Sequence, residues 1–444
     1  MFKTIRNAWG IPDLRRKILF TLFIIVVFRF GSVIPVPFLD VTALKGLMGT
    51  VSESGSALSY IDMLSGGAFA NATMFAMGVT PYINSSIIMQ LLTVAIPALE
   101  RLAKEGEDGR KKIGTITRYV TVGLGLIQGT AYFFYLRNSS YQGTPIAKYT
   151  TGWEQVFAAF VIIMVFTAGT AMMMWLGEQV NQKGIGNGIS ILLFAGIVSR
   201  LPHTVSLLVQ YLQSAYQDPT NYGKYYFFVP MFIVVFLAVI WVIVFMNEAE
   251  RRIPVQYAKR VVGRKMYGGQ SSHIPIKVGM SGVMPIIFAS SILSIPSTIQ
   301  LFLGNQVTTG FWKSFLDAFS SSGGLYAFVY FILIIMFAYF YVTIQYNPME
   351  MANNLRQNNG TIPGIRPGKP TTDFIARILS KITLIGALFL AVIALLPIFF
   401  GSATGMKNMS LGGTSIIILV GVALETVKQM ESQMMMRHYK GFLD

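Results

Sequence analysis

Cysteine is absent from all 444 residues, which excludes disulfides, thiol nucleophiles and cysteine metal ligands. Histidine occurs three times, at His203, His273 and His438, too far apart in sequence to suggest a metal site. Charge is sparse at 12% of residues against 53% hydrophobic, and mean hydropathy is +0.57. A water-soluble domain of ordinary polarity does not have that composition, so the bilayer is the expected solvent. Catalytic signatures are also missing: there is no HExxH, no GxSxG and no kinase-like set. The glycine-rich stretch Gly184-Ile185-Gly186-Asn187-Gly188 lacks GxGxxG spacing and a Walker lysine, and follows an apolar run instead of a strand, so it reads as a tight turn. The expectation is a protein that is not an enzyme, holds no cofactor or metal and carries no energy source of its own.

What is present is a series of apolar runs beginning near Ile18, Thr73, Ile113, Trp153, Asn187, Tyr226, Val278, Leu325, Phe374 and Gly412. With roughly 20 residues needed per crossing, these predict an all-α polytopic membrane protein of about ten spans. Met1 to Lys17 before the first run looks like the head of a signal peptide, but no small-residue cleavage site follows, so a retained first span is expected. Lys and Arg number 35 against 19 Asp and Glu, a formal net charge of +16. They gather in every second gap: Arg15, Arg16 and Lys17; Arg101, Lys104, Arg110, Lys111 and Lys112; Arg251, Arg252, Lys259, Arg260, Arg264 and Lys265; Arg356, Arg366 and Lys369. Basic loops stay cytoplasmic, so both termini are expected there. Two of these gaps, about 247–277 and 346–373, are too long and polar to be mere turns. Topology setting together with attraction to anionic lipid accounts for much of the positive charge.

An internal echo divides the chain. Gly78-Val79-Thr80-Pro81-Tyr82-Ile83 returns as Gly282-Val283-Met284-Pro285-Ile286-Ile287, and Gly188-Ile189-Ser190-Ile191 returns as Gly413-Thr414-Ser415-Ile416. The members of each pair lie five runs apart and so run oppositely through the membrane, which predicts an inverted repeat with its pathway between the halves, 1–210 and 211–444. Pro81 and Pro285 are expected inside their spans, each freeing a carbonyl and permitting a bend. Residues 57–64 are too short to cross and too apolar for a free loop, and Ser65-Gly66-Gly67 ends them. They read either as a re-entrant segment held inside protein or as an ordinary outer loop. Arg29 is the ionisable residue that falls well inside a span, with no identifiable partner. Asn84, Ser85, Ser86 and Gln90 read as helix-to-helix glue, or as contacts of a gate.

Leu176-Gly177-Glu178-Gln179 with the glycine turn after it, the hairpin stretch Arg251-Arg252-Ile253-Pro254-Val255-Gln256-Tyr257-Ala258-Lys259-Arg260, and Pro363-Gly364-Ile365-Arg366-Pro367-Gly368 together resemble the SecY family, channel subunits of the bacterial protein translocon. Ser65-Gly66-Gly67 and Pro81-Tyr82-Ile83 are similar to that family too, and the resemblance runs from about Arg15 to Lys440.

That resemblance implies two five-span halves around an hourglass pore, with spans two and seven forming a lateral gate. The pore ring would be Val79, Ile83, Ile189, Leu193, Ile287 and Ile418; Val79 and Leu193 stand where isoleucine is frequent in the family. The plug would span about 57–70, centred on Tyr60, Ile61, Asp62, Met63, Leu64, Ser65, Gly66 and Gly67. Gate positions would include Pro81, Ser86, Gln90, Asn187, Pro285 and Ser290. Arg251, Arg252, Lys259, Arg260 and Arg366 would dock the SecA motor ATPase and, through rRNA phosphates, the ribosome. Implied partners are SecE, SecG, signal peptides, nascent polypeptides and the lipid of the bacterial cytoplasmic membrane. The function implied is passive conduction of polypeptides across or into the membrane. The repeat and Arg29 alone leave open a secondary transporter of a small solute, and a non-conducting assembly scaffold is a third reading.

Overall fold

A computed structural model describes residues 2–53, 62, 65–149, 152–257, 260–262, 265–267, 271–303, 324–404 and 413–440. Helices α1 (Phe2–Trp9), α2 (Pro12–Gly31) and α3 (Val41–Glu53) are followed by α4 (Thr80–Ala95), α5 (Pro97–Lys104) and α6 (Glu107–Asn138). A small hairpin, β1 (Ser140–Tyr141) and β2 (Thr144–Pro145), precedes α7 (Gly152–Lys183), α8 (Gly188–Ser199), α9 (Leu201–Gln217), α10 (Pro219–Tyr222) and α11 (Tyr225–Glu248). Next come β3 (Glu250–Tyr257), β4 (Arg260–Val262), β5 (Lys265–Tyr267) and β6 (Ser271–Lys277), then α12 (Met284–Leu303) and α13 (Gly324–Gln345). The last elements are α14 (Pro348–Gln357), β7 (Gly360–Thr361), α15 (Lys369–Thr404) and α16 (Gly413–Lys440).

The ten apolar runs fall on α2, α4, α6, α7, α8 with α9, α11, α12, α13, α15 and α16. Among the described residues seven segments are long and apolar enough to cross a membrane alone, and α4 with α5, bent by 100°, makes an eighth. The bend follows from Pro97, which cannot donate to a continuing helix and holds Ile96 extended. In the short α5 that results, Lys104 bonds Glu100 at 2.6 Å and, with its charge, holds that carboxyl below its ordinary pKa. The best apolar window of α11 has a mean hydropathy of 3.0 but is only 17% buried, so most of that helix faces lipid. The division expected at 210/211 falls inside α9, which runs on to Gln217.

Two boundaries differ from the expectation, for one reason. Span two was expected from Thr73 and span seven from Val278; their helices begin at Thr80 and Met284. Gly78 and Gly282 precede them with φ of +55° and +57°, a left-handed backbone that stops a helix from starting earlier. Pro81 and Pro285 are therefore second residues of their helices, where the missing N–H is an orphan anyway. The bend expected from carbonyls freed inside the spans does not arise. The echo itself reappears as geometry. α8 and α16 both begin at an echo glycine, and a Cβ on Gly188 would strike the Gly177 carbonyl, as one on Gly413 would strike that of Ile393.

Residues 65–79 are a run of turns, despite their apolar sequence. Their backbone is satisfied by the segment after α2: Val36 N–H donates to Ala72 at 2.9 Å and Met74 N–H to Ile34 at 3.0 Å, with Pro35 bridged to Thr73. Phe69, Ala72, Ala76 and Met77 pack on Tyr132, Phe133 and Leu136 of α6 and on Ile162 and Phe166 of α7. Irregular backbone at membrane depth needs such a protein casing. Asp40 leads α3, accepting from the Thr42 hydroxyl at 2.5 Å and from the backbone N–H of Thr42 and Ala43. Together these bonds hold its carboxyl below the usual range.

The two long polar gaps fold as one body. β3 is the middle strand of a sheet in the order β6-β3-β7, so β7 from the second gap closes on the hairpin of the first, with Gln256 opposite Thr361 and Tyr257 opposite Gly360. Ile253, Val255 and Ile276 turn one face of this sheet onto Leu355, Ile362, Ile375 and Leu379. Pro254 is accommodated because β7 pairs only with Gln256 and Tyr257, leaving no ladder partner for it on that side.

Candidate pore, plug and docking surface

A cavity of about 550 Å³ opens where α7 and α11 end and α8 begins, beside the middle of α16. Its wall is polar: Asn181, Asn187, Asn247, Lys277, Glu425 and Gln429 contribute to it. Asn187, expected at the gate, is the N-cap of α8, accepting from Ser190 N–H at 3.3 Å, while lining this cavity with Gly282 and Val283, which lead into α12. The turn before it is tight because Gly188 donates to Asn181 Oδ1 at 2.7 Å and Gly186 has φ +85°.

Part of the cavity lining is apolar. Val283 and Leu424 belong both to its lining and to one large hydrophobic cluster, which also takes in Val79, Ile83, Leu193, Ile287 and Ile418 as buried members and Ile189 at its margin. The six ring candidates, from four helices and the turn before α4, all belong to this extensive cluster or pack against it. Ile83 and Ile287 are 8% and 7% exposed, and α4 and α12 touch. Of the other gate candidates, Gln90 donates to Ser86 Oγ at 3.3 Å along α4, and Ser290 Oγ donates to the Ile287 carbonyl at 3.0 Å. Ser85 is glue: its hydroxyl donates to the Thr117 carbonyl of α6 at 2.8 Å.

The plug candidate packs against the same cluster. Tyr60, Ile61, Met63 and Leu64 lie outside the described residues; Asp62, Ser65, Gly66 and Gly67 are described. Ala68 and Phe75 belong to the same apolar cluster as the ring, and Phe75 stacks on Phe28 of α2 at 6.2 Å. Tyr132 donates to the Phe69 carbonyl at 2.7 Å while its ring stacks on Phe69 at 4.2 Å. Arg29, left without a partner by the sequence, donates to the Gly66 carbonyl at 3.4 Å. Arg200, which sequence reasoning passed over, pairs with Asp62 at 2.6 Å. The available signal was a lone arginine interrupting the fifth apolar run.

Among the docking candidates, Arg251 and Arg366 are exposed. Arg252 is bonded to Glu250 at 2.7 Å, which offsets part of its charge. Lys259 lies outside the described residues, and Arg260 is described only as backbone in β4. Arg366 sits between Gly364 and Gly368, with φ of +81° and +98°. Its carbonyl accepts the Thr371 hydroxyl at 2.9 Å and neighbouring Ile362 is buried under the sheet, so the loop tip is held stiffly.

A partly polar cavity thus borders an apolar cluster against which the turn segment also packs. Among the described residues no group of three or more His, Cys, Asp or Glu could hold a metal.

The SecY family model matches residues 73–427. The chain is 43% identical over its full length to the protein translocase subunit SecY of Streptomyces scabiei, covering all of that protein. It is 42% identical, again over all of both chains, to the protein translocase subunit SecY of Halalkalibacterium halodurans. In fold it is similar to a solved protein conducting channel, with a TM-score of 0.64 at 20% identity over 94% of this chain and 92% of that one. Sec61 in the canine ribosome-channel complex gives 0.61 at 18% over the same shares. The geometry, the repeat and the full-length match agree that the chain belongs to the SecY family.

Proposed function

We propose that the protein is a passive protein-conducting channel. It passes secretory polypeptides across the cytoplasmic membrane and releases apolar segments sideways between α4 and α12. The observation that carries this reading is the partly polar cavity bordered by a single apolar cluster drawn from both halves of the repeat. Relatives named as protein translocase subunits support it along the whole chain. Val79, Ile83, Ile189, Leu193, Ile287 and Ile418 form a flexible aliphatic seal that sheds water around a passing chain. Segments partition through the gate by hydrophobicity, since a charge costs about 3 kcal/mol at a helix centre. Both termini are cytoplasmic. SecE clamps the halves and SecG joins them, while SecA or the ribosome docks on Arg251, Arg252, Lys259, Arg260 and Arg366, as the ribosome complex of Sec61 suggests by analogy.

An ion-coupled transporter of small solutes usually carries an ionisable group facing its pathway. Arg29 is instead engaged with the Gly66 carbonyl. Reconstitution of the chain with its small membrane partners and SecA separates the two readings. The channel reading expects a protease-protected secretory polypeptide, and Arg29→Gln that keeps this activity. Saturable uptake of a small solute that Arg29→Gln abolishes, with no polypeptide protected, would replace it.

A further inference from the structure

Three asparagines that line the cavity between α7, α11 and α16 are each half used. Asn181 Oδ1 accepts the Gly188 N–H at 2.7 Å, and Asn187 Oδ1 accepts the Ser190 N–H at 3.3 Å. Asn247, near the end of α11, donates from Nδ2 to the Ile243 carbonyl at 3.1 Å. Only the oxygen of an amide can accept and only its nitrogen can donate, so these bonds fix which end of each side chain is spent. Among the described residues none of the three side-chain amides has a second partner. Two NH2 groups and one oxygen therefore remain, held in place by the bonds already made. Gly279 and Gly282 line the same cavity. A Cβ on Gly279 would stand 2.9 Å from Asn247 Oδ1, so the glycine leaves that acceptor open, and a Cβ on Gly282 would meet nothing within 4 Å.

We propose that this cavity binds the main chain of an extended polypeptide, with Asn181 and Asn187 donating to its carbonyls and Asn247 accepting from its N–H groups. The proposal rests on the channel reading above and adds which part of the substrate is recognised. A peptide unit offers one donor and one acceptor whatever its side chain, and the spare groups here are of both kinds. An anion only accepts, and would leave the Asn247 oxygen without a use. Val283 and Leu424 carry the cavity lining into the apolar cluster, whose hydrocarbon side chains offer a peptide no hydrogen bond. A chain entering that cluster gives up water at its amides, and fixed side-chain amides at the border replace part of it without selecting sequence. Each such neutral bond is worth roughly a few-fold in residence time, so the three slow a chain without trapping it.

The test uses the full chain, reconstituted in vesicles with its membrane partners and SecA, holding an uncharged secretory polypeptide stalled by a folded domain at its end. A short run of backbone esters, which lack the N–H and accept more weakly, is scanned along the stalled segment, and the rate of backsliding after removal of ATP is measured. Esters at the register that occupies the cavity should speed backsliding roughly fivefold or more, and esters elsewhere in the segment should not. In the double variant Asn181→Asp with Asn187→Ser, the aspartate keeps an acceptor for Gly188 and the serine keeps the cap of α8, while both spare donors are gone. The ester effect should then fall to less than half, as coupling between the two partners requires. No effect of esters at any register, or the same effect in the variant as in the unaltered chain, would overturn the proposal. If the double variant fails to accumulate, Asn187→Ser alone serves: a reduced ester effect supports main-chain binding and an undiminished one overturns it. An unaltered chain that never holds a protease-protected polypeptide would instead remove the channel reading, a distinct outcome.

Discussion

Replacing Ile83 and Ile287 together by asparagine is expected to raise the ion conductance of the resting protein by about an order of magnitude or more, with no polypeptide present. Both side chains are almost completely buried in the cluster that borders the cavity. They stand at matching positions of the repeat, each five residues beyond a left-handed glycine. An apolar constriction blocks ions by shedding water. Two amides in the same place cost about 1–3 kcal/mol each if left without partners, so the site gains by hydrating. Leucine at both positions keeps the apolar character and should leave conductance near its starting value. Single-channel recording in planar bilayers distinguishes the two pairs. An asparagine pair as tight as the leucine pair would mean that the seal lies elsewhere.

The second large effect is expected at Arg366. If the proposed docking holds, Arg366→Glu should reduce SecA-driven export roughly tenfold or more while the protein stays abundant in the membrane, because the side chain is exposed. The loop that carries it is held by positive-φ glycines, by the Thr371 hydroxyl on its carbonyl and by Ile362 under the sheet. Reversal thus changes the charge presented without releasing the loop. Where the partner is rRNA, removing one phosphate contact should also reduce the salt slope of binding by about one. Arg252→Glu should matter less, since Glu250 already offsets its charge at 2.7 Å. Export rates in inverted membrane vesicles measure both. Equal effects at Arg252 and Arg366 would contradict the ranking.

The architecture was legible wherever it rests on hydropathy. Ten runs follow from residue type alone, and the structure has a helix or helix pair at each. The echo was legible too, and Gly78 with Gly282, and Gly188 with Gly413, show why it was: each pair meets the same backbone requirement in both halves. Helix starts were misread because 73–79 is as apolar as a span. What removes it from the helix is the positive φ of Gly78 and a backbone pairing with Ile34 and Val36, neither visible in composition. Pro81 and Pro285 were read as interior kinks for the same reason, since their meaning depends on where the helix begins.

The hairpin in the first long gap was read from the sequence, where Ile253, Val255 and Tyr257 alternate as a strand should, but the sheet it joins was not. Its third strand, Gly360–Thr361, is two residues long and lies about a hundred positions away, beyond the reach of any local pattern. Arg200 was missed because a single arginine in an apolar run looks like a loop charge. Only the fold brings it to Asp62, across more than a hundred residues of chain. Arg29 was noticed, and its partner could not be, because that partner is a backbone carbonyl.

The central claim is that a polypeptide passes through the apolar cluster, and the absence of cysteine allows a direct test. Single cysteines at Ile83 and at Ile287, in the assembled translocon holding a stalled secretory chain with one cysteine of its own, are scored for disulfide formation. Cross-links at both positions, and none at the lipid-facing Trp241, are the predicted result. An intact ternary complex that cross-links at neither position would contradict the account.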